Sequence, residues 1–295
     1  MTKRIAVVTG ANKGIGFEIC KQLASNGVKV ILTARDEKRG NEAVEKLKSA
    51  GYSDVIFHQL DVVDNASISS FANFIKTQFG KLDILINNAA IAAAIINPED
   101  QEVLYDKIIG ANPGSLETVL KKTYETAIQD CLRTNYYGIK QLIKELIPPL
   151  ELSNSARIIN VSSTLGQLKR ISNENTRKEL EDDVDDLTEE KVDKVVEGFL
   201  EDTKENLLKV KGWPANYSDY SVSKVALNAY TRVLAKKYLN IAINAVSPGF
   251  VKTDLTRNTG VLTVEEGAKG PVMLALMSEG GPSGLFFDRT KVSTF

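Results

Sequence analysis

Short apolar runs alternate with segments of helical spacing from the start of the chain. Ile5-Ala6-Val7-Val8 is a run of buried-strand type, and residues 15–25 then set Ile15, Ile19 and Leu23 on one helical face. Val28–Leu32 reads as a second strand, followed by a polar helix over 36–50 that turns Ala43, Val44 and Leu47 inward. Val55–Leu60 is a third strand, 64–79 a helix carrying Ile68, Phe71 and Ile75, and Leu82–Ile86 a fourth strand. Strands that are apolar throughout and separated by helices predict a parallel sheet covered on both faces. Right-handed crossovers make this an α/β, doubly wound parallel sheet of Rossmann type.

The second half continues with interruptions. Residues 119–147 read as one long helix stopped by Pro148-Pro149. Arg157–Val161 is a fifth strand, 219–237 a helix, Ile241–Val246 a sixth strand, and Leu285-Phe286-Phe287 a short seventh. Without internal repeats or a Gly-, Ser- or Pro-rich linker, the expectation is a single domain over 1–295 with two insertions. The first, 92–118, has little periodicity and carries Pro98, Gly110, Pro113 and Gly114; it is expected to form a lid. The second, 164–216, is rich in lysine and acids and is expected to form a helical cap. Within its 188–209 helix, Val192, Val195, Val196, Phe199 and Leu200 form an apolar stripe that must be buried on the domain or on another chain.

Composition narrows the function. A chain of 295 residues, 43% hydrophobic and 25% charged, has the balance of a soluble globular protein. A net charge of −1 suggests no polyanion partner, so no nucleic acid is expected. The apolar runs are too short for a membrane span. The N-terminal Met1-Thr2-Lys3-Arg4 leads straight into a strand without a secretory pattern, and a cytoplasmic protein is expected. Cys20 and Cys131 lack metal-type spacing and read as reduced packing thiols. The single histidine, His58, reads as structural, which leaves neither a metal site nor a histidine-based triad.

Chemistry enters with the turn between the first strand and first helix, Thr9-Gly10-Ala11-Asn12-Lys13-Gly14-Ile15-Gly16. Glycines there allow close backbone approach, and a helix N-terminus attracts a pyrophosphate. Its spacing, G-x-x-x-G-x-G, differs from the common dinucleotide fingerprint. The second strand ends in Thr33-Ala34-Arg35-Asp36; Arg35 and Lys13 are two cations that favour the 2′-phosphate of NADP(H). Asp36 argues the other way unless it caps the following helix. In the 219–237 helix, Tyr220 and Lys224 are i,i+4 and share a face. An ammonium beside a phenol lowers its pKa and yields a proton donor suited to carbonyl reduction. Tyr136 and Lys140 have the same spacing, so spacing alone does not choose between the pairs.

Taken in order, these motifs resemble the short-chain dehydrogenase/reductase family over residues 9 to about 255. The glycine turn, Leu60-Asp61-Val62, Asn87-Asn88-Ala89-Ala90 and Ser247-Pro248-Gly249-Phe250-Val251-Lys252-Thr253 match its cofactor segments. Asn135, Ser163, Tyr220 and Lys224 match its catalytic tetrad, which decides for Tyr220 over Tyr136. The resemblance implies Tyr220 as proton donor, Ser163 (rather than Ser162) on the substrate oxygen, Lys224 on the nicotinamide ribose, and Asn135 ordering a relay water. Ser221 and Ser223 are then helix surface or packing. It also implies cofactor contacts from Gly10, Asn12, Lys13, Gly14, Ile15, Gly16, Arg35, Asp61, Val62, Asn88, Pro248, Gly249, Val251 and Thr253. Lys13, Thr33-Ala34-Arg35 and Lys38-Arg39-Gly40 resemble the NADPH-dependent carbonyl reductases. The long Ser163–Tyr220 separation resembles their monomeric subgroup, with the plant salutaridine and menthone (neomenthol-forming) reductases. The implied activity is NADPH-dependent reduction of a small hydrophobic ketone or aldehyde by a monomer. An enone double-bond reductase and a non-catalytic NADP(H)-binding regulator are the alternatives. Ile91, Ala92, Ile95 and Leu165 are candidate pocket walls. One departure is Ala90, where the family has glycine; the expectation is that the position tolerates a methyl.

Overall fold

The computed structural model describes residues 3–92, 124–181, 186–278 and 280–295. Its strands are β1 (Ile5–Val8), β2 (Lys29–Ala34), β3 (Val55–Gln59), β4 (Ile84–Asn87), β5 (Arg157–Val161), β6 (Ala242–Ser247), β7 (Phe286–Asp288) and β8 (Lys291–Ser293). They form one 8-stranded sheet in the order β3-β2-β1-β4-β5-β6-β7-β8. Every pairing is parallel except β7 with β8. The chain winds outward from β1 in one direction and returns at β4 to wind in the other. The ends of β1 and β4 therefore flank a crevice at the topological switch point, where open α/β sheets bind ligands.

The helices are α1 (Gly14–Ser25), α2 (Glu37–Ser49), α3 (Asn65–Phe79), α4 (Ile139–Glu151), α5 (Glu174–Glu181), α6 (Glu189–Lys204), α7 (Ser218–Lys237) and α8 (Val264–Leu276). Two cores cover the two sheet faces. Ile19, Leu23, Val44, Leu47 and Leu274 pack with Val8, Leu32 and Ile86 on one side. Phe71, Ile75, Leu142, Ile143 and Leu227 pack with Val7, Leu85 and Ile158 on the other. Alternate residues of one strand thus feed opposite cores, which is why the strands are apolar throughout. His58 packs between Phe71 and Phe74, with ring centroids 5.1 and 4.3 Å away, in keeping with a structural role.

Three features differ from the sequence expectations. The prolines do not stop the long helix: α4 continues through Pro148 and Pro149 to Glu151. Each withholds an amide from the carbonyl four residues back, Lys144 or Glu145, and burial of Ile147, Pro149 and Leu150 holds that turn in place. Leu82 also donates its amide to the Pro149 carbonyl at 2.9 Å. Next, α8 has no clear apolar period because Gly267, Gly270 and Pro271 interrupt its spacing; its start is marked by a capping box between Thr263 and Glu266. Finally, β8 and the short α5 were too brief and polar to read.

The 188–209 prediction corresponds to α6, and its stripe is covered by the same chain. Val192, Val195, Val196 and Phe199 are buried, and α6 packs against α7. A polar cluster pins it: Asp193 accepts from the Tyr136 hydroxyl at 2.8 Å and from Lys140 Nζ at 2.6 Å, while Lys140 also pairs with Glu189 at 2.8 Å. The second Tyr–Lys pair of the sequence thus serves to dock α6. Apart from Ala92, the 92–118 insertion lies outside the described residues, as does Ile95.

Candidate active site

The glycine turn leaves β1 at its carboxyl end. Gly10 and Gly14 have φ of 59° and 60°, a left-handed backbone that favours glycine. A Cβ on Gly10 would lie 2.9 Å from Ala89 Cα, so the turn rests directly on the segment after β4. Asn88 fastens that contact, donating its amide to the carbonyls of Thr9 (2.9 Å) and Gly10 (3.2 Å). Ala90 is outside the set of residues with positive φ, so the alanine there carries no left-handed strain. The other expected cofactor residues stand on the same edge: Arg35 after β2, Asp61 and Val62 after β3, and Pro248–Thr253 after β6. Ile15 and Gly16 open α1, with Asn12 and Lys13 just before it.

Arg35 is exposed at the end of β2. Asp36 accepts a hydrogen bond from the Arg39 amide at 2.9 Å, so its carboxylate is the N-cap of α2. Lys13 does not project alone into solvent: it forms an ion pair with Asp254, from the segment after β6. The ring of cofactor-side segments closes there, since a Cβ on Gly14 would sit 3.6 Å from Thr253 Cγ2.

The expected tetrad assembles beyond the end of β5. Ser163 adopts an extended backbone, and its Oγ accepts from the Leu165 amide at 3.1 Å, capping a short turn over Thr164–Gly166. That turn lies flat on α7: a Cβ on Gly166 would come within 2.7 Å of Lys224 Cβ, and Asn228 donates to the Gly166 carbonyl at 2.9 Å. The close approach brings Ser163 into hydrogen-bonding contact with the half-buried Tyr220. Lys224, 1% exposed, donates to the Val161 carbonyl at 2.8 Å, with its Nζ 5.6 Å from the Tyr220 ring centroid. A chain from Asn87 through Asn160 to Thr231, with bonds of 2.8 and 2.9 Å, ties β4 and β5 to α7 and sets the helix against the sheet.

Asn135 sits in a π-helical turn, Arg133–Gly138, that interrupts the helix leading into α4. Its Nδ2 donates to the Ile91 carbonyl (2.7 Å) and Ser223 Oγ (3.1 Å), and its Oδ1 accepts from the Ile91 amide (2.9 Å). Ser223 in turn donates to the Tyr220 carbonyl at 2.7 Å. Ser221 and Ser223 are both buried, which decides for packing over surface. Ile91, Ala92 and Leu165 are half-buried around this cluster's approaches.

Electrostatics correct one expectation. The Tyr220 pKa stands above its free value, not below it. Burial pushes the phenol up, nearby Cys131 adds to the rise, and the bond from Ser163 opposes it. Burial also pushes Lys224 down to about 8, because its ammonium loses water and gains mainly a carbonyl. Cys131 does more than pack: its Sγ lies 3.3 Å from Asn135 Nδ2 and it influences both Tyr220 and Lys224. The signal available in sequence was its i,i+4 relation to Asn135. Among the described residues no group of three or more potential metal ligands occurs, and no helix is long and apolar enough to cross a membrane.

A glycine turn at the switch point beside a Ser–Tyr–Lys cluster defines an oxidoreductase with a dinucleotide fold. Residues 4–175 match the family model described as short chain dehydrogenase, and 207–269 match one described as Enoyl-(Acyl carrier protein) reductase. The chain belongs to the short-chain dehydrogenase/reductase family, and it is an oxidoreductase acting on a carbonyl/alcohol pair. It is 53% identical to a (+)-neomenthol dehydrogenase of Arabidopsis thaliana, over 100% of this chain and 99% of that one. The solved salutaridine reductase of Papaver somniferum superposes with a TM-score of 0.85 at 49% identity, covering 97% of this chain and 99% of that chain. An NADPH-bound carbonyl reductase from chicken fatty liver superposes with a TM-score of 0.66 at 27% identity, covering 100% of both.

Proposed function

We propose that this chain uses NADPH to reduce a small hydrophobic ketone or aldehyde to an alcohol. The observation that carries the reading is the packing of the Ser163 turn on α7, which holds Ser163 against Tyr220 and Lys224 below it. The bound cofactor would supply a hydride from its nicotinamide. Tyr220 gives its proton to the carbonyl oxygen on which charge develops, and Ser163 hydrogen-bonds the same oxygen. Lys224 holds the ribose hydroxyls, and Asn135 orders the water that returns a proton by way of Lys224.

The glycine turn fits a pyrophosphate: side chains are missing where the backbone must come close, and α1 begins at that point. Gly10, Gly14, Gly16, Asn12 and the Ile15 amide line the turn; Asp61 and Val62 meet adenine; Asn88 lies by the ribose; Pro248, Gly249, Val251 and Thr253 hold the carboxamide end. The exposed guanidinium of Arg35 and the capping role of Asp36 favour a 2′-phosphate over a free hydroxyl. The cofactor of the chicken carbonyl reductase supports the same choice. The substrates named for the plant relatives make terpenoid and alkaloid ketones the first compounds to test.

The chain is further proposed to act as a cytoplasmic monomer, since the apolar stripe of α6 is satisfied within the chain. Light scattering that finds a stable tetramer overturns the monomer. For the activity, Tyr220→Phe is expected to retain NADPH binding and to lose about 10²–10⁴-fold in ketone turnover. Near-full turnover in that variant rejects the assigned role.

A further inference from the structure

The ion pair between Lys13 and Asp254 joins two segments that lie far apart in sequence. Lys13 is the residue preceding α1, and its Nζ donates to Asp254 Oδ2 at 2.5 Å. Both side chains are well exposed, at 60% and 65%. The pair is therefore not a core contact, and its geometry comes from the backbones beneath it. Gly14 lies against Thr253, as described above. Asp254 opens a short turn, Asp254–Thr256, that is firmly held: Thr256 Oγ1 accepts from the Thr253 amide at 3.1 Å and donates to the Val251 carbonyl at 2.7 Å. On the other side, the glycine turn runs beside the end of β2, with the Ala11 amide donating to the Thr33 carbonyl at 2.8 Å. Lys13 thus belongs to a turn with the Asp254 segment on one flank and the end of β2 on the other.

The structure assigns to Asp254 a part in cofactor selection: we propose that its carboxylate competes with the 2′-phosphate of NADPH for the Lys13 ammonium. This rests on the reading of Lys13 and Arg35 as the 2′-phosphate site. A 2′-phosphate bound through Lys13 sets a second anion against Asp254 for the same ammonium, whereas a cofactor with a free 2′-hydroxyl leaves the pair as it is. The Asp254 carboxyl is held below its usual pKa by the hydrogen bond and charge of Lys13, so the pair persists at neutral pH. An exposed pair of this kind is weak, and its competition changes affinity by about two- to five-fold.

The test measures NADPH and NADH dissociation constants for the full chain at low salt, in wild type, Asp254→Asn, Lys13→Met and the double variant. The expected result is NADPH binding about two- to five-fold tighter in Asp254→Asn with NADH nearly unchanged, and loss of that selective gain in the Lys13→Met background. Equal tightening of both cofactors means only that a negative charge was removed, and overturns the proposal. So does an unchanged NADPH affinity, or a gain that persists without Lys13. Wild type that binds neither cofactor rejects the 2′-phosphate site and this inference together. Wild type that prefers NADPH, with no effect of Asp254→Asn, rejects this inference alone.

Discussion

Replacing Lys224 by methionine should make the protein more resistant to unfolding at neutral pH relative to its behaviour at high pH. Lys224 is 1% exposed, and burial lowers its pKa from 10.5 to about 8. The shift converts to about 3 kcal/mol of unfavourable free energy for holding the charged form in the fold. The sign follows from proton counts. Below about pH 8 the lysine is charged in both states, and the folded state bears the whole cost. Between about pH 8 and 10.5 the unfolded chain binds more protons than the folded one, so stability rises with pH. Above that range the group is neutral in both states and the cost is gone. Methionine fills similar volume without a charge and removes this dependence. It also leaves the Val161 carbonyl without its donor, a loss that does not vary with pH. The informative quantity is therefore the difference in urea-unfolding free energy between wild type and Lys224→Met, measured from pH 6.5 to 10.5 by far-UV circular dichroism. Wild type should gain about 3 kcal/mol on the variant across that range. A difference that stays flat with pH would refute the claim that Lys224 is held desolvated. The same variant should lose carbonyl reduction, since the ammonium also serves the proposed site.

Three further outcomes follow from particular contacts. Arg35→Asp should weaken NADPH relative to NADH by about tenfold or more, read as the ratio of kcat/KM for the two cofactors; an unchanged ratio rejects Arg35 as a phosphate ligand. Gly166→Ala drives a methyl to within 2.7 Å of Lys224 Cβ, so the Ser163 turn must lift; about 1–3 kcal/mol of stability and about 10²-fold in kcat should go while NADPH affinity is kept. Full turnover in that variant would mean the turn does not position Ser163. Asp193→Ala strands the Tyr136 hydroxyl and halves the partners of Lys140, and should cost about 2 kcal/mol in chemical denaturation together with faster proteolysis within residues 186–212.

Periodicity was enough for the architecture because each strand had to satisfy two apolar layers and each helix only one. Runs such as Ile5–Val8 and Arg157–Val161 could hardly be anything but buried parallel strands, and their bounds match the structure. Apolar spacing also located α6, since Val192, Val195, Val196 and Phe199 needed a dry partner; which surface provided it was not written in the stripe. Elements with weak periodicity stayed hidden, as α8 did behind its glycines and proline.

The Tyr220–Lys224 spacing is legible in the chain, and ordered motifs distinguish it from Tyr136–Lys140. What each pair does depends on solvent and on neighbours distant in sequence. Tyr136 and Lys140 meet Asp193 from α6 and become a clamp. Tyr220 and Lys224 lie under the Ser163 turn, where loss of water moves both pKa values away from their free values. Likewise, Lys13 reads as an unattached cation in sequence, and only folding brings Asp254 to it. The sequence by itself determined seven of the eight strands, the apolar faces that make the two cores and the set of reactive side chains, because local spacing encodes which face is apolar. Burial, charge pairing and proton affinity at the site were decided by the tertiary structure, because they are properties of the groups that folding brings together.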